Sequence, residues 1–295
     1  MPSQPEIVLP LADALLQQND PAAARQVLES IAGSARDIAA YHYLLAQSHF
    51  LSGQKEPTLL EMNQAIRLDP KNPVYPLTLG RYCQKYGERK KALRAFEEAA
   101  QLDPHLAEVP YSIAVSYSMD GDFDAALKYL GQALKMNPSF DRAMFLLGTL
   151  RLSEGKFDES EKLLGQAAKS QPQNPYYQCF YGMLMASEDH LAEARERFQK
   201  TLRLDPSYAL AHYQMGRLLA RTGKPEEARQ ELEKAISLQP DLSEAYYALS
   251  RTYYKLGDKE KGDQALALFR RLRAAEYTER QEILRQMQQA IQDKH

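Results

Sequence analysis

The amino-acid sequence predicts an all-α protein built as a solenoid of stacked helical hairpins. A proline recurs at residues 70, 104, 138, 172, 206 and 240, so that every interval is 34 residues. Within each interval, two stretches carry apolar residues at helical spacing, and a glycine usually separates them. A fixed period of this length is typical of stacked supersecondary units that bury their apolar faces against one another.

The first stretch of each repeat predicts one amphipathic helix, helix A. Repeat positions are counted so that the recurring proline is position 32. Position 7 then holds a large residue (Leu45, Leu79, Ile113, Leu147, Tyr181, Met215) and position 8 a small one (Ala46, Gly80, Ala114, Gly148, Gly182, Gly216). Together with positions 4 and 11, they form an i, i+3, i+4, i+7 stripe that faces the core.

The second stretch predicts helix B, and two punctuating residues bound it. Positions 20, 24 and 27 alternate small, large and small side chains, for example Ala194, Phe198 and Thr201. Position 15 is glycine in most repeats and Asp189 in one, residue types that accept the left-handed dihedrals of a helix end. Because the proline at position 32 cannot continue helix B, it ends each hairpin.

These residues together resemble the tetratricopeptide repeat. The resemblance rests on the large and small pair at 7 and 8, Gly at 15, Ala at 20 and 27, an aromatic or Leu at 24, and Pro at 32. It implies a right-handed superhelical α-solenoid of about eight 34-residue helix-turn-helix repeats plus a C-terminal capping helix, all in one structural domain. The repeats are expected at residues 39–72, 73–106, 107–140, 141–174, 175–208, 209–242 and 243–276, after a degenerate N-terminal capping repeat at 1–38.

The C-terminal end departs from the repeat pattern. Ala274 stands where the proline is expected, so the helix can continue, with Ile283, Met287, Ala290 and Ile291 forming an apolar stripe. We therefore expect residues 277–295 to form a capping helix that solvates the end of the solenoid. The alternative is a partner-binding or dimerising helix, because an exposed stripe of this kind could also serve association.

Composition narrows the class of protein. The formal net charge is −2, which argues against a dedicated nucleic-acid binder. No apolar run reaches the roughly 18 residues of a membrane helix, and the N-terminus lacks the basic region of a secretory signal. We therefore expect a cytoplasmic protein without membrane insertion, or an exported one if a leader has been removed.

The sequence shows no chemistry of an enzyme, a metal site or a cofactor site. The six histidines have no metal-ligand spacing, and His42 and His212 fall on the packing stripe. Cys83 is expected in the core. Cys179 is expected at a groove position, where it could be reactive, although no base is implied beside it. We expect a non-catalytic protein with no cofactor.

The resemblance implies a concave groove lined by the A helices, with positions 2, 5, 9, 12 and 13 facing into it. The partner-binding residues expected there are Tyr43, Arg81, Tyr111, Phe145, Tyr213, Arg217, Arg221, Tyr247, Arg251 and Lys255. Tyrosine and arginine are over-represented among interface hot spots, and arginine binds carboxylates bidentately. The alternative is structural: the rings pack sideways on the neighbouring helix, and an arginine pairs with an acid such as Glu244.

The predicted function is a protein-interaction scaffold or adaptor that binds a peptide segment of a partner, with an acidic or carboxylate-bearing segment suiting the groove. The lysine and asparagine clamp that some members of the family use for a peptide carboxylate is not matched at these positions. Two alternatives remain, self-association through the end caps and RNA binding by the repeats. The partner's identity, the pathway and the oligomeric state are not predicted.

Overall fold

The chain is helical throughout the part that the computed structural model describes, which is the backbone of residues 4–292 and the side chains of residues 4–278. It forms sixteen α-helices and no β-strand within residues 4–292. The helices are α1 (Pro5–Gln17), α2 (Pro21–Glu29), α3 (Ala39–Leu51), α4 (Lys55–Leu68), α5 (Val74–Lys85), α6 (Arg89–Leu102), α7 (Glu108–Met119), α8 (Phe123–Met136), α9 (Asp141–Ser153), α10 (Phe157–Ser170), α11 (Pro175–Ser187), α12 (Leu191–Leu204), α13 (Ala209–Arg221), α14 (Pro225–Leu238), α15 (Ser243–Lys255) and α16 (Lys259–Gln292).

The helices pack as successive hairpins within two compact units. The N-terminal unit is Met1–Ala143 and the C-terminal unit is Met144–His295. In the N-terminal unit each odd-numbered helix from α1 to α7 packs against the even-numbered helix that follows it, and α11 to α16 pair in the same way in the C-terminal unit. Odd-numbered helices also contact one another, α5 with α7 and α11 with α13. The protein is thus an all-α solenoid of helical repeats, as the sequence predicts.

The turns between helices lie at the residues that the sequence predicts. Six glycines at position 15 and Asp189 have positive φ, between 68° and 81°, where the chain passes from helix A to helix B. Asn19 has φ 60° at the corresponding position of the first hairpin. Helices α4, α6, α8, α10, α12 and α14 each end two residues before a recurring proline. The predicted turn at position 15 and the predicted helix end before the proline at position 32 are therefore confirmed.

Four hairpins are held together by a bulky side chain of helix B that lies on a glycine of helix A, namely Gly80, Gly148, Gly182 or Gly216. The side chains of Phe96, Leu164, Phe198 and Leu232 are fully buried. A Cβ atom placed on Gly182 would lie 2.8 Å from Phe198 Cε1, so the ring rests directly on the backbone of α11. Burying such a side chain contributes roughly 1.5–3 kcal/mol, which makes this contact the main cohesive element of a hairpin.

The last helix runs without a break from Lys259 to Gln292, consistent with the missing proline at 274. The predicted capping stripe of Ile283, Met287, Ala290 and Ile291 lies outside the residues whose side chains are described. The cap at residues 277–295 and the repeat boundaries therefore remain predictions.

Two histidines at position 4 make the same pair of hydrogen bonds. His212 Nδ1 lies 2.6 Å from Glu231 Oε2 and its Nε2 lies 3.0 Å from the carbonyl of Pro206. His42 repeats this arrangement with Glu61 and the carbonyl of Arg36. Both partners of each ring are acceptors, and only the doubly protonated ring donates to both. The hydrogen bond to Glu231 raises the pKa of His212 above its ordinary value.

We expect His212→Gln to lower the free energy of unfolding by about 1.5 kcal/mol at pH 6 and by less at high pH. Because the folded pKa is raised, the stabilisation is fully present below about pH 6.5 and is lost as the pH rises through the raised value. Urea unfolding from pH 5.5 to 9 measures the difference. His105→Gln, at an exposed ring, is the control. An equal deficit of the His212 variant at every pH would contradict the charged interaction.

Candidate functional site

A cavity of about 1030 Å³ opens in the C-terminal unit between α11, α13, α15 and α16. Six of the ten residues expected in the groove line it: Tyr213, Arg217, Arg221, Tyr247, Arg251 and Lys255. Leu152, Met183 and Leu218 add apolar surface to the wall. A concave site with apolar walls and a few directed polar groups is the usual form of a binding pocket.

Two tyrosine and arginine pairs form the polar wall of this cavity. Tyr213 and Arg217 are four residues apart on α13, and Tyr247 and Arg251 are four residues apart on α15, so each pair lies on one face of its helix. The guanidinium carbon of Arg217 lies 5.5 Å from the centroid of the Tyr213 ring. Both guanidinium groups and Tyr247 are exposed, whereas burial raises the pKa of Tyr213.

Arg221 and Lys255 cap the C-terminal ends of α11 and α13. Arg221 donates to the carbonyl oxygen of Ala186 at 2.9 Å and pairs with Asp189 at 2.6 Å. Lys255 donates in the same way to the carbonyl oxygen of Ala220 at 3.1 Å. A cation there satisfies an unpaired carbonyl and complements the helix dipole. These two predicted binding residues therefore already have structural partners.

The lining of the cavity is strongly cationic. It contains Arg217, Arg221, Arg251, Lys255 and Arg273, against the single carboxylate of Glu244. Arg273 pairs with Glu276 at 2.8 Å. Within the described part of the chain, neither Arg217 nor Arg251 has an ion-pair partner, and the suggested pairing with Glu244 does not occur. Arg217 and Arg251 are thus the cations available to a ligand.

The other predicted groove residues lie elsewhere. Phe145, in the C-terminal unit, stacks on Tyr177 with ring centroids 4.6 Å apart. Tyr43, Arg81 and Tyr111 belong to the N-terminal unit, where Tyr43 packs against Tyr75 at 5.3 Å. The sideways packing considered as the alternative is therefore the arrangement found for Tyr43 and Phe145. It also holds for Tyr247, which contacts Phe269 at 5.2 Å.

The expectation that Cys179 faces the groove is wrong. Its side chain is fully buried in the core of the C-terminal unit, and burial raises its pKa to about 12. A thiol so protonated at neutral pH is a poor nucleophile. Leu77, at the same repeat position, is also buried, whereas Cys83 lies in the core as predicted. Position 5 therefore faces solvent only in some repeats.

The contribution of α16 to the cavity was not predicted from the sequence. Phe269 and Arg273 lie four residues apart on α16 and line the wall. Their spacing matches that of the tyrosine and arginine pairs, but the repeat register assigns them to helix B, which the resemblance places away from the groove. The missing proline at 274 was the available signal, because it lets α16 extend.

The described side chains contain no group of three or more His, Cys, Asp or Glu able to hold a metal ion. Among the helices that were searched, none combines the length and apolarity needed to cross a membrane.

Family models identify the repeat. A model of the tetratricopeptide repeat matches residues 1–48, 117–188 and 184–249, which is more than half of the chain, and a second one matches residues 243–268. The chain belongs to the tetratricopeptide repeat family. Members of this family are generally non-catalytic, and the fold is that of protein-interaction scaffolds. No curated protein sequence matches the chain.

Solved structures with this fold are similar over much of the chain. A chain of the APC/C hetero-tetramer Cut9–Hcn1 is 17% identical with a TM-score of 0.72, and the match covers 92% of this chain and 53% of that one. This chain thus spans about half the length of that relative. The human IFIT1 dimer with PPP-AAAA is 20% identical over 92% of this chain and 73% of that chain, with a TM-score of 0.63. YrrB, described as a tetratricopeptide repeat protein with an unusual peptide-binding site, is 24% identical over 63% of this chain and 96% of its own, with a TM-score of 0.50. At these identities the likeness shows the fold alone.

Proposed function

We propose that this protein is a non-catalytic scaffold or adaptor that binds a peptide segment of a partner protein in the cavity of its C-terminal unit. The observation that carries the proposal is the composition of that cavity, in which five cations and one carboxylate line the wall together with three aromatic rings. Charged and aromatic groups arranged in this way favour a peptide with acidic side chains.

The available groups define how such a peptide is held. The guanidinium groups of Arg217 and Arg251 form no ion pair with any described residue. Each can therefore donate two parallel hydrogen bonds to a carboxylate. Tyr213 is held under Arg217, which limits the side-chain entropy lost on binding. Tyr247, exposed and packed on Phe269, offers its ring to an apolar residue of the peptide. The ligand is therefore an acidic segment with an interspersed apolar residue.

The test begins with a phage-displayed library of random 12-residue peptides selected on the wild-type protein. We expect the enriched peptides to be rich in Asp and Glu. Tyr213→Ala, Arg217→Ala, Tyr247→Ala and Arg251→Ala combined should weaken their binding by at least tenfold in fluorescence anisotropy, because hot-spot side chains contribute about 2 kcal/mol or more each. Helical content and the melting temperature should change little, since the substituted side chains lie on the cavity wall.

The matched control combines Tyr176→Ala, Arg203→Ala, Arg271→Ala and Tyr277→Ala, four exposed residues of the C-terminal unit outside this cavity. It should bind the selected peptides as the wild type does. Equal binding by the cavity variant and the wild type would contradict the proposal and point to another surface. Selection of basic or neutral peptides alone would contradict the acidic specificity.

RNA binding by the same cavity makes a different prediction about salt. Binding through several phosphates loses orders of magnitude in affinity between 50 and 200 mM salt, because counterions are released. A peptide anchored by two arginines and two tyrosines should lose roughly tenfold or less over that range. A steep salt dependence with an oligoadenylate, and no peptide selected, would favour the RNA alternative.

A further inference from the structure

In the described part of the N-terminal unit, Arg81 is a partly buried cation without a counter-ion. It lies on α5, and its Nε donates to Ser112 Oγ on α7 at 3.3 Å. Its Nη2 is buried and has no hydrogen-bond partner among the residues that the structure describes. No carboxylate of residues 4–278 lies within 4.0 Å of the guanidinium group. An unpaired buried cation is costly, and an anion that reaches it removes that cost.

A second cation lies close to the same place. The guanidinium carbon of Arg142, at the start of α9, is 5.4 Å from the centroid of the Tyr111 ring and 5.1 Å from that of Phe140. Arg142 is exposed and forms no ion pair with any side chain that the structure describes. Burial lowers the pKa of Arg81, and the charge of Arg142 adds to this effect, so the two guanidinium groups repel each other. The negative charge of Glu108 raises the pKa of Arg81, although the two side chains form no ion pair.

Tyr111 lies close to both arginines. Burial raises the pKa of Tyr111 above its ordinary value, and the positive charges of Arg142 and Arg81 oppose this rise. The hydroxyl therefore lies in the field of both arginines. Its ring packs on Phe140 at 5.1 Å, which fixes its orientation. The hydroxyl makes no hydrogen bond within the described residues and can donate one to a ligand.

We propose that Arg81, Arg142 and Tyr111 form a binding site for a compact oxyanion, a carboxylate or a phosphate group carried by a peptide. The two guanidinium groups supply N–H donors, and the phenol supplies one O–H donor. Oxyanions match these donors because they accept several charge-assisted hydrogen bonds at once. The site lies wholly in the N-terminal unit and does not depend on the cavity of the C-terminal unit. Only the peptide as the source of the oxyanion rests on the proposed function.

Arg89 provides a matched control within the same unit. It also lies over a tyrosine, with its guanidinium carbon 5.0 Å from the ring centroid of Tyr117, but it already forms an ion pair with Asp120. Because Asp120 already neutralises the guanidinium group of Arg89, we expect Arg89 to bind an added anion weakly.

The first experiment titrates the full chain with inorganic phosphate at constant ionic strength and follows the arginine Nε–Hε signals by NMR. We expect saturable shifts of the Arg81 and Arg142 signals in the wild type. Arg142→Gln and Arg81→Gln should each weaken binding about tenfold, because each removes a charge-assisted hydrogen bond. Arg89→Gln and the four-residue alanine variant of the C-terminal cavity should respond as the wild type does. Arg142→Gln changes an exposed side chain, so its result stands even if Arg81→Gln perturbs folding.

Unchanged phosphate midpoints in both Arg81→Gln and Arg142→Gln would overturn the site. The second experiment compares three peptides of one sequence that carry serine, glutamate or phosphoserine at their centre. Tighter binding of either acidic form, lost in Arg142→Gln, supports a peptide source and tells carboxylate from phosphate. Equal binding of all three, or tighter binding of an oligoadenylate than of any peptide, would overturn the peptide source.

Discussion

Phe198→Ala is expected to lower the free energy of unfolding by about 3–5 kcal/mol. The side chain is fully buried in the core of the C-terminal unit and rests on the backbone of Gly182. Its removal forfeits the transfer free energy of the ring and leaves a cavity that the neighbouring helices can only partly close. Urea unfolding followed by circular dichroism at 222 nm measures the loss.

Phe123→Ala is the control for this prediction, because the Phe123 side chain is 52% exposed at the start of α8. We expect its cost to stay below about 1 kcal/mol. Comparable destabilisation by the two substitutions would mean that the contact of a buried helix B side chain with a helix A glycine is not the main cohesive element of a hairpin.

Gly148→Leu is the second substitution with a large expected effect, a loss of about 1–3 kcal/mol from overpacking. A Cβ atom at this position would lie 2.8 Å from Leu164 Cγ, and Ser160 Oγ donates to the carbonyl of Gly148 at 2.9 Å. Helices α9 and α10 must therefore move apart to admit a side chain. Gly148→Ala should show a smaller effect in the same direction, despite the better helix propensity of alanine.

Gly165→Ala in α10 separates overpacking from a general effect of replacing glycine. A Cβ atom there would meet the Tyr181 ring at 3.8 Å, an ordinary contact. We expect this variant to be as stable as the wild type or more stable by up to about 1 kcal/mol. Stabilisation by both Gly148→Ala and Gly165→Ala would contradict the close approach of α9 and α10. Differential scanning calorimetry gives the comparison.

The helix pattern could be predicted from the sequence because it depends on local, repeated chemistry. A proline ends a helix wherever it occurs, and a glycine at a left-handed position needs no knowledge of the rest of the molecule. The contact of position 8 with position 24, as between Gly182 and Phe198, was likewise visible as a small residue opposite a large one. These signals recur through residues 39–242, where the structure has helices α3 to α14.

The exposure of side chains beside the groove could not be predicted in the same way. Repeat position fixes the direction of a Cα–Cβ bond, but the neighbouring repeat decides what covers it. Cys179 is small enough to be covered completely, whereas Tyr247 at the same position remains 45% exposed. The bonds of Arg221 and Lys255 to carbonyls of the preceding repeat depend on side-chain rotamers, which the sequence pattern does not contain.

Some cations of the candidate site already bind other parts of the protein, whereas others are available to a ligand. The choice of residues for a binding test depends on this difference. Arg221 hydrogen-bonds a helix-end carbonyl, so alanine at this position removes a cap as well as a cation. Arg217 and Arg251 carry no such role within the described residues. Variants of these two arginines therefore report on binding with little effect on folding.

Site-specific photo-crosslinking in the native cell tests the central claim most directly. A benzophenone side chain replaces Tyr247 in the cavity, or Leu60, which is 66% exposed on α4, as the control position. Mass spectrometry of the crosslinked peptides then identifies the segment of the partner. The account predicts an Asp- and Glu-rich segment captured from position 247, absent from position 60 and lost when Arg217 and Arg251 are changed to Ala. Capture from position 60 with none from position 247, or capture that survives the loss of both arginines, would contradict it.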